Sequence, residues 1–194
     1  FIYQIQEELK NKTYKPMELR EIEIPKENGK TRTIKIATIK DRVVQGAIKL
    51  ILEPIFEADF QNGSFGFRPK RNQHQAIDRA ATIIYQHKTQ VIDLDLKSYF
   101  DKIQHNILLS KIAKRVQDSE IMHLIKITIK RGGKLGIIQG SPLSPLMSNI
   151  YLNNLDKMLE KAKQVTANGK FTHIDYVRFA DDIAIFVSGW QKWT

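Results

Sequence analysis

Tyr176-Val-Arg-Phe-Ala-Asp-Asp-Ile-Ala-Ile-Phe-Val187 sets two adjacent aspartates between two apolar runs. Residues 176–180 and 183–187 read as the strands of a hairpin, with Asp181 and Asp182 at its turn. Neighbouring carboxylates repel, and a raised pKa on one of them is the usual result. Aspartate is also common in turns, so this stretch alone fits a solvated turn as well as a cation site.

A second acidic pair decides between those readings. Val91-Ile-Asp-Leu-Asp-Leu96 reads as a short strand. Its period of two puts Asp93 and Asp95 on one face, with Ile92, Leu94 and Leu96 on the other. Acidic residues are depleted in strands. Salt bridges to the many lysines are the bland explanation, and metal binding is the sharper one. Taken together, Asp95, Asp181 and Asp182 suit phosphoryl transfer from a nucleoside triphosphate. That chemistry uses two Mg²⁺ ions about 3.5–4 Å apart, which activate a 3′-hydroxyl and stabilise the leaving pyrophosphate. Mg²⁺ takes hard oxygen ligands, few of them from protein.

Around these clusters, helices and strands alternate irregularly. Helices are expected over residues 2–10, 41–56, 72–86, 119–131 and 144–163. Asp41 and Ser119 stand at N-cap positions, Pro54 interrupts the end of the second helix, and Gly132-Gly133 stops the fourth. The stripe of the second helix is Val43, Val44, Ala47, Ile48, Ile51 and Leu52; that of the third is Ala76, Ile77, Ala80, Ile83 and Ile84. Glu21-Ile-Glu-Ile24 and Thr33-Ile-Lys-Ile36 flank Asn28-Gly29, a hairpin turn signal, on a hairpin carrying Lys26, Lys30, Arg32 and Lys35. The pattern predicts an α+β protein with an antiparallel or mixed sheet and helices on one face.

The chain of 194 residues carries 31 lysines and arginines against 21 acidic residues, a formal charge of +10. That excess favours a polyanionic partner, nucleic acid first. No apolar run approaches the ~20 residues of a membrane-spanning helix. With no cysteine, disulfide frameworks and cysteine-ligated zinc are excluded. The scattered histidines, among them His74, His105, His123 and His173, read as structural or surface residues, and Trp190 and Trp193 as packing residues. Both ends look cut, so a longer protein is expected. Ser64-Phe-Gly-Phe-Arg-Pro69, with Lys70 and Arg71, mixes arginine and aromatics as a nucleic-acid track does. Gln139-Gly-Ser-Pro-Leu-Ser-Pro145 enters a helix N-terminus, where backbone donors gather.

These stretches, with Ile39-Lys-Asp-Arg-Val-Val-Gln45, Asp95-Leu-Lys-Ser-Tyr-Phe-Asp101 and Phe179-Ala-Asp-Asp182, fall in the order seen in reverse transcriptases encoded by group II introns, the maturases. The chain resembles that family over nearly its whole length. The resemblance implies right-hand polymerase fingers and palm, with an antiparallel palm sheet backed by helices and the thumb absent. Residues 1–70 and 103–143 map to fingers; residues 71–102 and 144–194 map to palm. It implies that Asp95, Asp181 and Asp182 ligate two Mg²⁺ ions, with Asp95 and Asp181 bridging both. Phe100 maps to the steric gate against a ribose 2′-hydroxyl. Gln139 and Gly140 map to the nucleotide pocket. Arg32, Lys40 and Arg42 map to the triphosphate grip, and Arg68, Lys70 and Arg71 to nucleic-acid contacts. Two departures from the family pattern are Ile36-Ala37, where relatives carry Ile-Pro, and Phe179, where they often carry tyrosine.

The implied partners are an RNA template, a DNA primer, dNTPs and the intron RNA, with no membrane. A homodimer of the chain, through surface the thumb would otherwise cover, is a further expectation. The implied location is a cytoplasmic or organellar ribonucleoprotein. Competing readings are an RNA-binding splicing factor without polymerase activity, an RNA-directed RNA polymerase, and a related retroelement or CRISPR-linked reverse transcriptase.

Overall fold

The computed structural model describes residues 1–25, 31–167 and 172–189, without the Arg32 side chain. The expected Asn28-Gly29 turn, Lys26, Lys30, Trp190 and Trp193 lie outside the described residues. The chain forms two compact units interleaved in sequence, residues 1–56 with 98–150 and residues 57–97 with 151–194.

The first unit opens with helix α1 (Ile2–Lys10), which buries Ile5. Strands β1 (Arg20–Pro25) and β2 (Thr31–Ile36) pair antiparallel with Ile22 opposite Ile34. Most of β1 is exposed, as a solvated hairpin would be. Helix α2 (Ile39–Glu57) buries Val44, Ile48, Leu52 and Phe56, while Val43 and Ile51 of the expected stripe face outward. Its cap differs from expectation. The Asp41 N–H donates to Thr38 Oγ1 at 3.2 Å, and the Thr38 hydroxyl donates back to the Asp41 carboxylate at 2.7 Å. Thr38 therefore caps, and Asp41 sits in the first turn. Asp41 is buried because it also accepts from the Tyr14 hydroxyl at 2.6 Å and the Met17 N–H at 3.1 Å. Pro54 lies inside α2, so the helix runs through it with one backbone donor missing.

Helices α4 (Tyr99–Lys102), α5 (His105–Ala113) and α6 (Ser119–Lys130) also belong to this unit, with α3 (Gln73–Tyr85) in the other. Asp118, not Ser119, caps α6, accepting from the N–H groups of Glu120 and Ile121 at 2.8 and 2.9 Å. Helix α7 (Ser144–Thr166) follows the Gly/Pro/Ser loop, with Pro145 in its permitted first turn.

In the second unit, α3 starts at a reciprocal capping box between Asn72 and Gln75. Strands β3 (Gln90–Asp95), β4 (Ile174–Phe179) and β5 (Asp182–Val187) form an antiparallel sheet in the order β3-β5-β4. Ala76 and Ile83 of α3 pack with Val177 and Phe186 on one face. Leu159 of α7 packs with Tyr176 and Ile183 on the other. Helices thus cover both faces of this sheet, where one was expected, because β4 and β5 alternate apolar residues on both sides. Strand β3 is an exposed edge; Ile92 and Leu94 are 51% and 39% exposed, and Leu96 just beyond it packs, partly buried, against the core. Among the described residues, no helix is long and apolar enough to cross a membrane.

Candidate active site

The antiparallel register sets Asp95 directly opposite Asp182 on β3 and β5, with Asp181 in the adjoining turn. Asp93 lies two residues before Asp95 and so shares its face. The sequence folds this way because apolar residues of β4 and β5 pack against helices on both faces of the sheet, leaving Ala180-Asp181 as a tight connection. Ala180 takes a left-handed conformation, φ 58°. That conformation disfavours any side chain and marks a turn held by its surroundings.

Partial desolvation, then repulsion from Asp181, Asp95 and Asp93, pushes the Asp182 pKa above the ordinary carboxylate range. Among the described residues, no ion pair joins these aspartates to a basic side chain, and four basic residues of this unit pair elsewhere: Arg68 with Glu57, Arg79 and Lys163 with Asp175, Arg178 with Asp156. In a chain of formal charge +10, this end of the sheet keeps an uncompensated negative cluster. No three His, Asp or Glu side chains of the described residues are gathered closely enough to hold a metal as they stand. The donor set fits Mg²⁺, which binds through one or two carboxylates plus water and phosphate rather than in an all-protein cage.

The raised pKa has a consequence for stability. The folded state holds the Asp182 proton more tightly than the unfolded chain does, so the charge opposes folding once the pH exceeds the folded pKa. Below the unfolded pKa both states are protonated and the effect vanishes. Asp182→Asn should therefore raise the melting temperature of cation-free protein at pH 7 and leave it unchanged below the carboxylate range. Melting curves at the two pH values check this.

The other expected site residues divide between the units. In the first, Phe100 is half-buried in α4, its carbonyl accepting the Ile137 N–H at 2.8 Å. Gln139 Nε2 donates to Asp101 Oδ1 at 3.4 Å, and Gly140 turns the chain at φ 91°. A cavity of about 140 Å³ is lined by Thr33, Lys35, Asp101 and Gln139 among others. Sequence alone does not mark Lys35 for this pocket, and Asp101 only by its place next to Phe100. Arg42 is exposed. Lys40, expected at a triphosphate, instead donates to Glu8 at 2.6 Å and lies 5.9 Å from the Tyr14 ring centroid. Arg32's side chain lies outside the described residues.

In the second unit, Arg68, expected at nucleic acid, is paired within the protein. It is buried, with Nε and NH2 donating to Glu57 and NH1 to the carbonyls of Gln61 and Ser64. Its charge is satisfied internally, which is what admits an arginine to the interior. Arg71 donates to the Asn62 and Ser64 carbonyls and lies 5.1 Å from the Phe65 ring. Lys70 remains exposed.

A family model described as reverse transcriptase (RNA-dependent DNA polymerase) matches residues 24–192. The chain belongs to the reverse transcriptase family, in its group II intron-encoded branch. It is 34% identical to Protein YkfC of Escherichia coli over 95% of this chain and 58% of that protein. It is 35% identical to the group II intron-encoded protein LtrA of Lactococcus lactis over 84% of this chain and 28% of that protein. It thus spans little more than half of the first relative and under a third of the second. In fold it is similar to telomerase from Candida albicans, at TM-score 0.60 and 11% identity over 97% of this chain and 42% of that one.

Proposed function

We propose that the protein is an RNA-directed DNA polymerase of a group II intron, extending a primer 3′-hydroxyl with dNTPs and binding its intron RNA to assist splicing and mobility. The observation that carries this reading is the register of Asp95 with Asp182 beside Asp181, unpaired by any described basic side chain. We take the second unit as palm, since it holds these carboxylates, and the first as fingers. Asp95, Asp181 and Asp182 would hold two Mg²⁺ ions. Bound there, Mg²⁺ would supply charge stabilisation to the attacking and leaving oxygens. The residues themselves offer hard oxygen donors at one end of the sheet. Phe100 rejects a 2′-hydroxyl by shape, and Gln139 and Gly140 offer polar and backbone contacts to the nucleotide. The formal charge of +10 suits an RNA template and a DNA primer. The telomerase neighbour, solved with a fragment of telomeric RNA, supports an RNA partner. A ribonucleoprotein, without membrane attachment, is the location this implies.

Two experiments test the reading. Asp181→Ala with Asp182→Ala should stop cDNA synthesis while binding of intron RNA persists. RNA binding with no synthesis by the unmodified protein would favour a splicing factor instead. Phe100→Val should raise incorporation of ribonucleotides relative to dNTPs by about 10–100-fold, since apolar exclusion of one hydroxyl discriminates on that scale. Competition assays with paired rNTP and dNTP read this directly. Unchanged discrimination would remove Phe100 from the gate.

A further inference from the structure

Beneath the aspartate turn lies a set of contacts that the catalytic reading does not use. Arg178 is fully buried, and its guanidinium donates to Asp156, Ser64 and Ala180. Nε and NH2 donate to the two oxygens of Asp156 at 2.7 and 2.6 Å. NH2 also donates to Ser64 Oγ at 2.7 Å, and NH1 to the Ala180 carbonyl at 2.7 Å. Asp156 and Ser64 are likewise fully buried. The last of those bonds holds the left-handed residue of the turn itself.

The backbone of residues 63–65 runs along the free edge of β4. The Arg178 N–H donates to the Gly63 carbonyl, and the Phe65 N–H to the Arg178 carbonyl, each at 2.8 Å. Gly66 then touches the turn. A Cβ there would collide with the Ala180 nitrogen and stand 3.0 Å from Ala180 Cα and the Phe179 carbonyl carbon. Arg68 and Arg71 both donate to the Ser64 carbonyl, fixing the segment from its other side. The Ser64–Gly66 stretch thus packs against the aspartate hairpin.

We propose that Ser64, Gly66, Asp156 and Arg178 are positioning residues that fix the Ala180–Asp182 turn, and so set the carboxylates for cation binding. This rests on the reading that those carboxylates bind divalent cations. A turn in a disfavoured conformation persists only where neighbours over-determine it. Arg178 supplies the bond to its carbonyl, and Gly66 supplies a wall without a side chain.

The test uses Ser64→Ala, which removes one bond to Arg178 and leaves the ion pair with Asp156. Mn²⁺ affinity is measured by electron paramagnetic resonance without substrate, well below the melting temperature, beside kcat, dNTP KM and the melting temperature. The expected result is Mn²⁺ affinity and kcat each lowered about 10-fold, as for loss of a residue that orients metal ligands, with KM unchanged. Ser64→Ala with Mn²⁺ affinity and kcat equal to the unmodified protein overturns the proposal, whatever its melting temperature. If Ser64→Ala does not fold, Asp156→Asn is read by the same criteria. Failure of the unmodified protein to take up Mn²⁺ overturns the carboxylate reading itself and the proposal with it.

Discussion

Asp156→Ala is expected to lower the melting temperature on the order of 10 °C. The change removes the carboxylate that pairs with Arg178 among the described residues, and leaves a guanidinium without exposed surface facing no Asp156 charge. Breaking a buried pair from one side costs about 3–5 kcal/mol. In a chain of this size each kcal/mol shifts the midpoint by about 2–4 °C. That is a large share of the roughly 5–15 kcal/mol that holds a domain folded. Arg178→Met should cost a comparable amount, since it leaves Asp156 charged and buried. Combining Arg178→Met with Asp156→Leu removes both charges and should recover part of the loss. Recovery stays incomplete because the Ala180 carbonyl and Ser64 Oγ lose their shared donor. Thermal unfolding of the two single variants and the double variant closes the cycle. Losses that simply add would mean that the pair is not coupled.

Asp95→Asn is expected to lower the rate of nucleotide addition by about 10³-fold, the effect of losing several kcal/mol of transition-state charge stabilisation. The fold should survive. Asp95 is exposed on an edge strand, and asparagine matches it in shape. Removing its charge also relieves repulsion on Asp182. The same variant should therefore be at least as stable without cation as the parent, and less stabilised by Mg²⁺. Single-turnover kinetics beside melting curves, with and without Mg²⁺, separate a lost ligand from a damaged fold. A parallel loss of rate and stability would point to damage.

The carboxylate geometry was legible because it depends on period and order alone. Alternation on β3, and two apolar runs around Asp181-Asp182, brought Asp95 and Asp182 into register. Helix α3 was legible from its period, although Ile77 and Ile84 of the expected stripe face outward. What failed depended on tertiary neighbours. Asp41 and Ser119 looked like caps, but Thr38 and Asp118 had the hydroxyl or carboxylate at the position the turn required. Arg68 and Lys40 looked like free cations, yet Glu57 and Glu8 hold them, and nothing local announces a partner 11 or 32 residues away. The role of Arg178 is not legible in the hairpin sequence, because period two gives a side chain's face and not its partners. The exposure of Ile92 and Leu94 follows from the place of β3 at the sheet edge, which strand pairing alone decides.

The central claim, that Asp95, Asp181 and Asp182 form a polymerase site, is tested most directly by single-nucleotide primer extension on an RNA template. The protein is taken in its natural length, with Mg²⁺ and with a chelator, beside its Asp181→Ala variant. The account predicts extension that needs Mg²⁺ and that falls by about 10³-fold in the variant. No extension by the unmodified protein with Mg²⁺ or Mn²⁺, or equal extension by Asp181→Ala, would contradict it.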